Sequence, residues 1–168
     1  MTTLCVFRLD GHLLAVDATH VEGVGDAGVL TPVPGAPRGV AGVVNLRGEI
    51  RTALDLRVWF ELPPAPHPAA HLVLRDDRET VAVLVDQVCD VVEVASSRRE
   101  PVPTTLNNET RSVVVGAYQL DGSQPSASAS ATPRENERYR LLKSRYIVAS
   151  LPVHPWPACS AVCRWRSP

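Results

Sequence analysis

Apolar positions through residue 122 recur with a period of two or in short unbroken runs, and no stretch shows the spacing of a long helix. Residues 4–9 (Leu-Cys-Val-Phe-Arg-Leu) are rich in strand formers and end at Asp10-Gly11. Both residues of that pair tolerate positive φ, so it closes a hairpin whose return strand is 12–16. Asp17 is placed to cap a short helical turn through Thr19 and His20. Val21 and Val24 are then expected to face the core. A strand is predicted over 40–46, a turn at Arg47-Gly48, and a second strand over 49–56. In that second strand Ile50, Thr52, Leu54 and Leu56 share one face, and Glu49, Arg51, Ala53 and Asp55 the other. Residues 71–75 and 80–86 predict a further hairpin, and the run Thr80-Val-Ala-Val-Leu-Val85, apolar on both faces, belongs at the centre of a sheet. Strands over 88–95 and 112–120 complete the pattern. Many short strands with regular turn signals predict an all-β barrel or sandwich.

Proline interrupts this pattern twice. Three prolines in residues 31–37 exclude helix and central strand, and Pro34-Gly35 at its middle is assigned a structural role. Residues 63–68 (Pro-Pro-Ala-Pro-His-Pro) form a stiff connection and are the expected subdomain boundary. At Ser123 the composition changes to a Ser/Ala/Pro tract, and a short helix is the expectation for 134–147.

Composition narrows the classes. The chain has 168 residues, 45% hydrophobic and 21% charged, which suits one domain or two small subdomains sharing a core. The net charge of −1 excludes a uniformly basic nucleic-acid binder, but it divides into −6 over 1–122 and +5 over 123–168. The arginines of the tail are spread rather than clustered, so incidental charge outweighs a membrane or nucleic-acid contact. No apolar run reaches membrane-spanning length, no signal-peptide pattern opens the chain, and four cysteines without a secretory context suit reduced thiols. A cytoplasmic location is the expectation.

The residues quoted so far also carry a family pattern. Gly42-Val-Val-Asn-Leu-Arg-Gly-Glu-Ile-Arg-Thr-Ala-Leu-Asp-Leu-Arg57 closely resembles the signature of CheW-like domains, the coupling proteins of bacterial chemosensory arrays. Thr31–Pro37, Val83–Val92, the opening Phe7–Gly11 with Ala15–Ala18, and Val115–Gly122 are similar to further family motifs in the same order. The resemblance covers about 4–122. It implies two small five-stranded SH3-like β-barrels, no catalysis and no cofactor. It implies as partners the regulatory domain of a chemotaxis histidine kinase and the cytoplasmic tip of chemoreceptors, with no nucleic acid and no direct membrane insertion. Three departures stand out. Gly23 occupies a place that often holds an acid, and Thr52 one that usually holds proline. The apolar strand that normally follows Asp121-Gly122 is replaced by the Ser/Ala/Pro tract, which leaves the second barrel incomplete and reads as a frameshifted or recombined end.

Candidate partner-binding residues follow from these motifs. Arg47 at a strand-to-turn junction can grip a carboxylate bidentately, either on a partner or on this chain, and Gly48 allows the tight geometry. Glu22 is the internal carboxylate considered for it, or else a solvated loop acid. Alternation puts Val44 and Leu46 in the core and leaves Val43 and Asn45 facing away. Arg51 and Arg57 are read as surface residues that either steer an acidic partner or are simply solvated. Asp86 ends a strand and is assigned a structural role as a turn cap. His154, Cys159 and Cys163 supply three candidate zinc ligands where four are needed, so no metal site is expected. A small Cys or Ser hydrolase is the rival class, and no nucleophile-elbow pattern supports it.

Overall fold

The computed structural model describes residues 1–65, 68–75, 79–102, 104, 106–119 and 147–151. Among the described residues, twelve strands form two six-stranded sheets. One contains β1 (Thr2–Leu9), β2 (His12–Asp17), β9 (Gln87–Val94), β10 (Arg99–Glu100), β11 (Gly116–Gln119) and β12 (Ile147–Leu151), in the order β10-β11-β12-β2-β1-β9. The other contains β3 (Val21–Asp26), β4 (Leu30–Thr31), β5 (Val40–Leu46), β6 (Glu49–Asp55), β7 (Ala70–Arg75) and β8 (Thr80–Val85), in the order β3-β7-β8-β6-β5-β4. We call these the terminal and the central barrel. The fold is all-β and of the SH3-like barrel type, each sheet counting six strands because the two-residue strands β4 and β10 join it. Two short helices, α1 (Arg57–Phe60) and α2 (Asn108–Ser112), lie between strands.

Three apolar clusters explain why the strand sequences look as they do. Each barrel closes a small interior: Leu4, Val6, Ala15, Val94 and Tyr118 in the terminal one, Val44, Ala53, Ala82 and Leu84 in the central one. A larger cluster joins the two sheets, with Cys5, Phe7, Leu9, Leu14 and Val16 on one side and Leu54, Leu72, Leu74, Val81, Val83 and Val85 on the other. Strands β1 and β8 are therefore buried on both faces, odd residues against one cluster and even residues against the next. That double burial, about 1.5–3 kcal/mol for each large side chain, demands unbroken apolar runs. Helix α1 adds Trp59 and Phe60 to the shared cluster.

The two barrels have the same ladder pattern. Their sheets read antiparallel, antiparallel, parallel, antiparallel, antiparallel from β3 to β4 and from β9 to β10. Strands β3–β8 correspond to β9–β12 followed by β1 and β2. The correspondence holds in register. The row Val43–Thr52–Val81–Leu74–Val21 matches Ala117–Ala149–Leu14–Phe7–Val88. Even the single-residue bulges of the edge strands coincide, between Val21 and Gly23 in β3 and between Val88 and Asp90 in β9.

Several expectations change. The last strand is not missing: β12 pairs antiparallel with β11 and parallel with β2, so the terminal barrel recovers its strand from beyond the Ser/Ala/Pro tract. The tract falls in the β11–β12 connection, where the central barrel has only the Arg47-Gly48 turn. The Pro-rich stretch 63–68 connects α1 to β7 within the central barrel, whereas the chain passes between barrels at Ala18–His20 and at Asp86. The strand expected over 112–120 begins only at Gly116, because Asn107 accepts the Thr110 N–H at 2.7 Å and starts α2 instead. The expected helix over 134–147 lies, apart from Ile147, outside the described residues, and Ile147 is in β12. Val24 and Ile50 are exposed, not core: Val24 lies on the edge strand β3, and Ile50 lies at the turn end of β6, outside its pairing with β8.

Candidate partner-binding surface

The β5–β6 hairpin is built by two residues with positive φ, Arg47 at 55° and Gly48 at 89°. That is the geometry whose twist matches the flanking strands. Asn45 fixes the turn: its Oδ1 accepts the Gly48 N–H at 2.9 Å. Asn45 is therefore part of the turn's own construction, although its side chain is exposed. Arg47 is exposed and makes no ion pair with any described carboxylate. The internal bridge from Glu22 is not formed; Glu22 lies 3.6 Å from Arg75 on the neighbouring strand β7. A guanidinium on that hairpin with no ion pair among the described residues has the chemistry to take a carboxylate bidentately.

The residues around Arg47 divide by face. Val43 is half-buried, and Val44 is buried in the central barrel's interior, with Leu46 packed against it. Directly opposite Asn45 stands Ile50, 64% exposed, on the same face as Val43 and Thr52. Ile50 was missed in the sequence because alternation assigns it to the core face, and it is on that face; it lies beside the turn, outside the β6–β8 ladder that begins at Thr52. Arg51 is half-buried and pairs with Glu49 on its own strand.

Arg57 is a correction. It is 4% exposed, not a surface residue. Its NH2 donates to Asp86, its NH1 lies 3.5 Å from Asp55, and its backbone N–H donates to Asp55 at 3.0 Å. Asp86 sits where the chain crosses from the central to the terminal barrel. Its other oxygen accepts the Asp10 N–H at 2.6 Å, and its own N–H donates to Arg8 O at 3.0 Å. Asp86 thus ties the β1–β2 turn, rather than the turn after itself, to α1. A second strap joins the helices: Thr110 Oγ1 donates to Trp59 O at 2.7 Å, and Arg38 pairs with Glu109 at 2.7 Å. Pro34 and Gly35 form the corners of an exposed turn closed by Ala36 N–H to Val33 O at 3.2 Å, with Gly35 at φ 72°.

Two further apolar residues were not singled out as contacts. Val24 and Val91 are 52% and 58% exposed, and they occupy the same register position of the two edge strands β3 and β9. Sequence alone could not find this match, since the shared Val-x-x-Val of Val21/Val24 and Val88/Val91 is too short to mark a repeat.

Neither described thiol, Cys5 or Cys89, has its ionisation favoured by its surroundings. Burial, with Cys89 nearby, pushes the Cys5 thiol above its ordinary value, and burial likewise raises Cys89 despite the Arg8 guanidinium. Among the described residues no three His, Cys, Asp or Glu side chains converge to hold a metal ion, and His154, Cys159 and Cys163 lie outside those residues.

Comparison with known proteins agrees with this architecture. The family model described as CheW-like domain matches residues 3–126. The chain is 28% identical over 120 residues to a probable chemotaxis protein CheW of Rhizobium etli, covering 70% of this chain and 77% of that protein. It is 30% identical over 110 residues to the chemotaxis protein CheW of Bacillus subtilis, covering 64% and 70%. The crystal structure of the scaffolding protein TtCheW from Thermoanaerobacter tengcongensis superimposes with a TM-score of 0.68 at 20% identity, covering 91% of this chain and 85% of that one. With a family match over most of its length and the twin-barrel fold to go with it, this chain belongs to the CheW-like domain family.

Proposed function

We propose that this protein is a non-enzymatic coupling adaptor of chemotaxis-type signal transduction. It holds the regulatory domain of a chemotaxis histidine kinase and the cytoplasmic tip of chemoreceptors in one cytoplasmic assembly. Family membership supports the class, and the names of the relatives carry the word chemotaxis. The observation that carries the site is the β5–β6 hairpin, where Arg47, without an ion pair among the described residues, and an exposed Ile50 stand on a tight turn. A charged donor beside an apolar side chain suits a transient signalling contact, about 1,000 Å² in total. Affinities of that kind become useful through effective concentration when receptor, adaptor and kinase are arrayed. The rigid double barrel keeps the contact surfaces in fixed relation.

The test is a binding titration of the full chain against an isolated kinase regulatory domain and, separately, a receptor-tip fragment. Saturable binding to both is expected. A folded protein that binds neither would remove coupling as its function.

A further inference from the structure

The register match between the barrels assigns every strand residue a counterpart, and one pair of counterparts is chemically unequal. Arg75 follows Leu74 at the end of β7, and Arg8 follows Phe7 near the end of β1; Leu74 opposes Val81 of β8 just as Phe7 opposes Leu14 of β2. On the adjoining edge strands the extra residue of the bulge is Glu22 in β3 and Cys89 in β9. In the central barrel the result is the Arg75–Glu22 ion pair. In the terminal barrel a thiol stands where the carboxylate would be. Arg8 lies against Cys89, pairs with no carboxylate among the described residues, and has a buried Nε with no hydrogen-bond partner.

A neutral thiol does not satisfy a guanidinium. Sulfur is a weak acceptor, whereas the guanidinium fork matches the two oxygens of a carboxylate. Burial raises the Cys89 thiol, so it stays protonated and uncharged near neutral pH. A buried donor without an acceptor is a standing cost, and an outside carboxylate can reach only the rest of the half-buried Arg8 side chain.

We propose that Arg8 is a docking point for a single carboxylate side chain of a protein partner, received beside Cys89 at the β9 edge of the terminal barrel. The central barrel supplies the template, since its own counterpart is occupied by one glutamate. Asp90, exposed on β9 and on the face of the sheet that carries Arg8, repels a run of acids or a dianion. The matching segment carries one isolated Asp or Glu. The surface lies on the opposite barrel from Arg47, so the chain has two separate carboxylate receptors. That the segment belongs to a kinase or receptor rests on the coupling reading; the affinity of Arg8 for a carboxylate does not.

The test has two arms, both on the full chain. In the first, the Arg8 Nε–H resonance is followed while acetate is titrated against chloride at equal ionic strength. The resonance moves saturably with acetate only, in the wild type and in Cys89→Ser, and the response falls at least tenfold in Cys89→Glu, whose own carboxylate fills the site. No acetate-specific movement in the wild type, or an undiminished one in Cys89→Glu, overturns the proposal. Should Cys89→Glu not fold, the wild-type titration decides alone. In the second arm, Cys89→Glu weakens binding of the kinase regulatory domain or the receptor tip at least tenfold, while Cys89→Ser stays within about twofold. Partner binding indifferent to Cys89→Glu overturns the docking role. An acetate response without binding of either partner sinks the coupling reading and leaves the Arg8 site standing.

Discussion

At the scale of single residues, two arginines that look alike in the sequence do opposite work. Arg47 is exposed and unpaired among the described residues, so Arg47→Asp should weaken partner binding at least tenfold while changing stability by no more than about 0.5 kcal/mol. A matching loss of stability in a denaturant titration would make Arg47 structural instead. Arg57 is buried and shares two aspartates, so Asp86→Ala should cost about 3 kcal/mol by leaving its charge half-compensated and freeing the Asp10 N–H. An unchanged unfolding midpoint would show that the clamp between the barrels carries no stability. Asp17 provides a pH test. Burial raises its carboxyl, but hydrogen bonds from the Thr19 O–H and N–H, with His20 nearby, outweigh it and hold the group below its ordinary value. The folded pKa is lower than the unfolded one, so this contribution is complete above about pH 4 and is lost as pH falls through the folded value. Asp17→Asn should flatten the stability profile in that acid range; an unaltered profile would remove Asp17 as the cause.

At the scale of elements, local chemistry set the turns and packing set the boundaries. Both two-residue hairpins were legible, because Asp10-Gly11 and Arg47-Gly48 each take the positive φ that their turn needs. Helix α2 was not, since its apolar neighbours Val113 and Val114 read as strand and only the Asn107 cap marks the start of a helix. The loop leading into β5 depends on a contact distant in sequence. Gly39 has φ 87°, and a Cβ there would fall 2.1 Å from the Trp59 ring of α1. Gly39→Ala should therefore destabilise by about 2 kcal/mol or more through overpacking and backbone strain together. A cost under about 0.5 kcal/mol would mean that Trp59 can move aside.

At the scale of the whole molecule, the chain is one barrel topology used twice, with the terminal barrel assembled from β1 and β2 at one end of the chain and β9 to β12 at the other. Truncation after residue 122 removes β12 and opens the sheet between β11 and β2, so the shortened chain should melt broadly or aggregate. Replacing residues 120–146 by Leu-Arg-Gly-Glu, the sequence of 46–49, should instead restore a cooperative melt, because Gln119–Ile147 occupies the register of Asn45–Ile50. A sharp melt from the truncated chain, or none from the graft, would refute that role for β12. The alternation of apolar residues, the hairpin pairs and the signature around Arg47 determined the strand inventory, the fold class and the family, since each depends on neighbours within a few residues. Tertiary structure alone decided that Arg57 is buried, that Ile50 and Val24 are exposed, and that the last strand comes from 147–151. Those outcomes depend on contacts between residues distant in sequence, and a period-two pattern reports which face a residue is on but not what covers it.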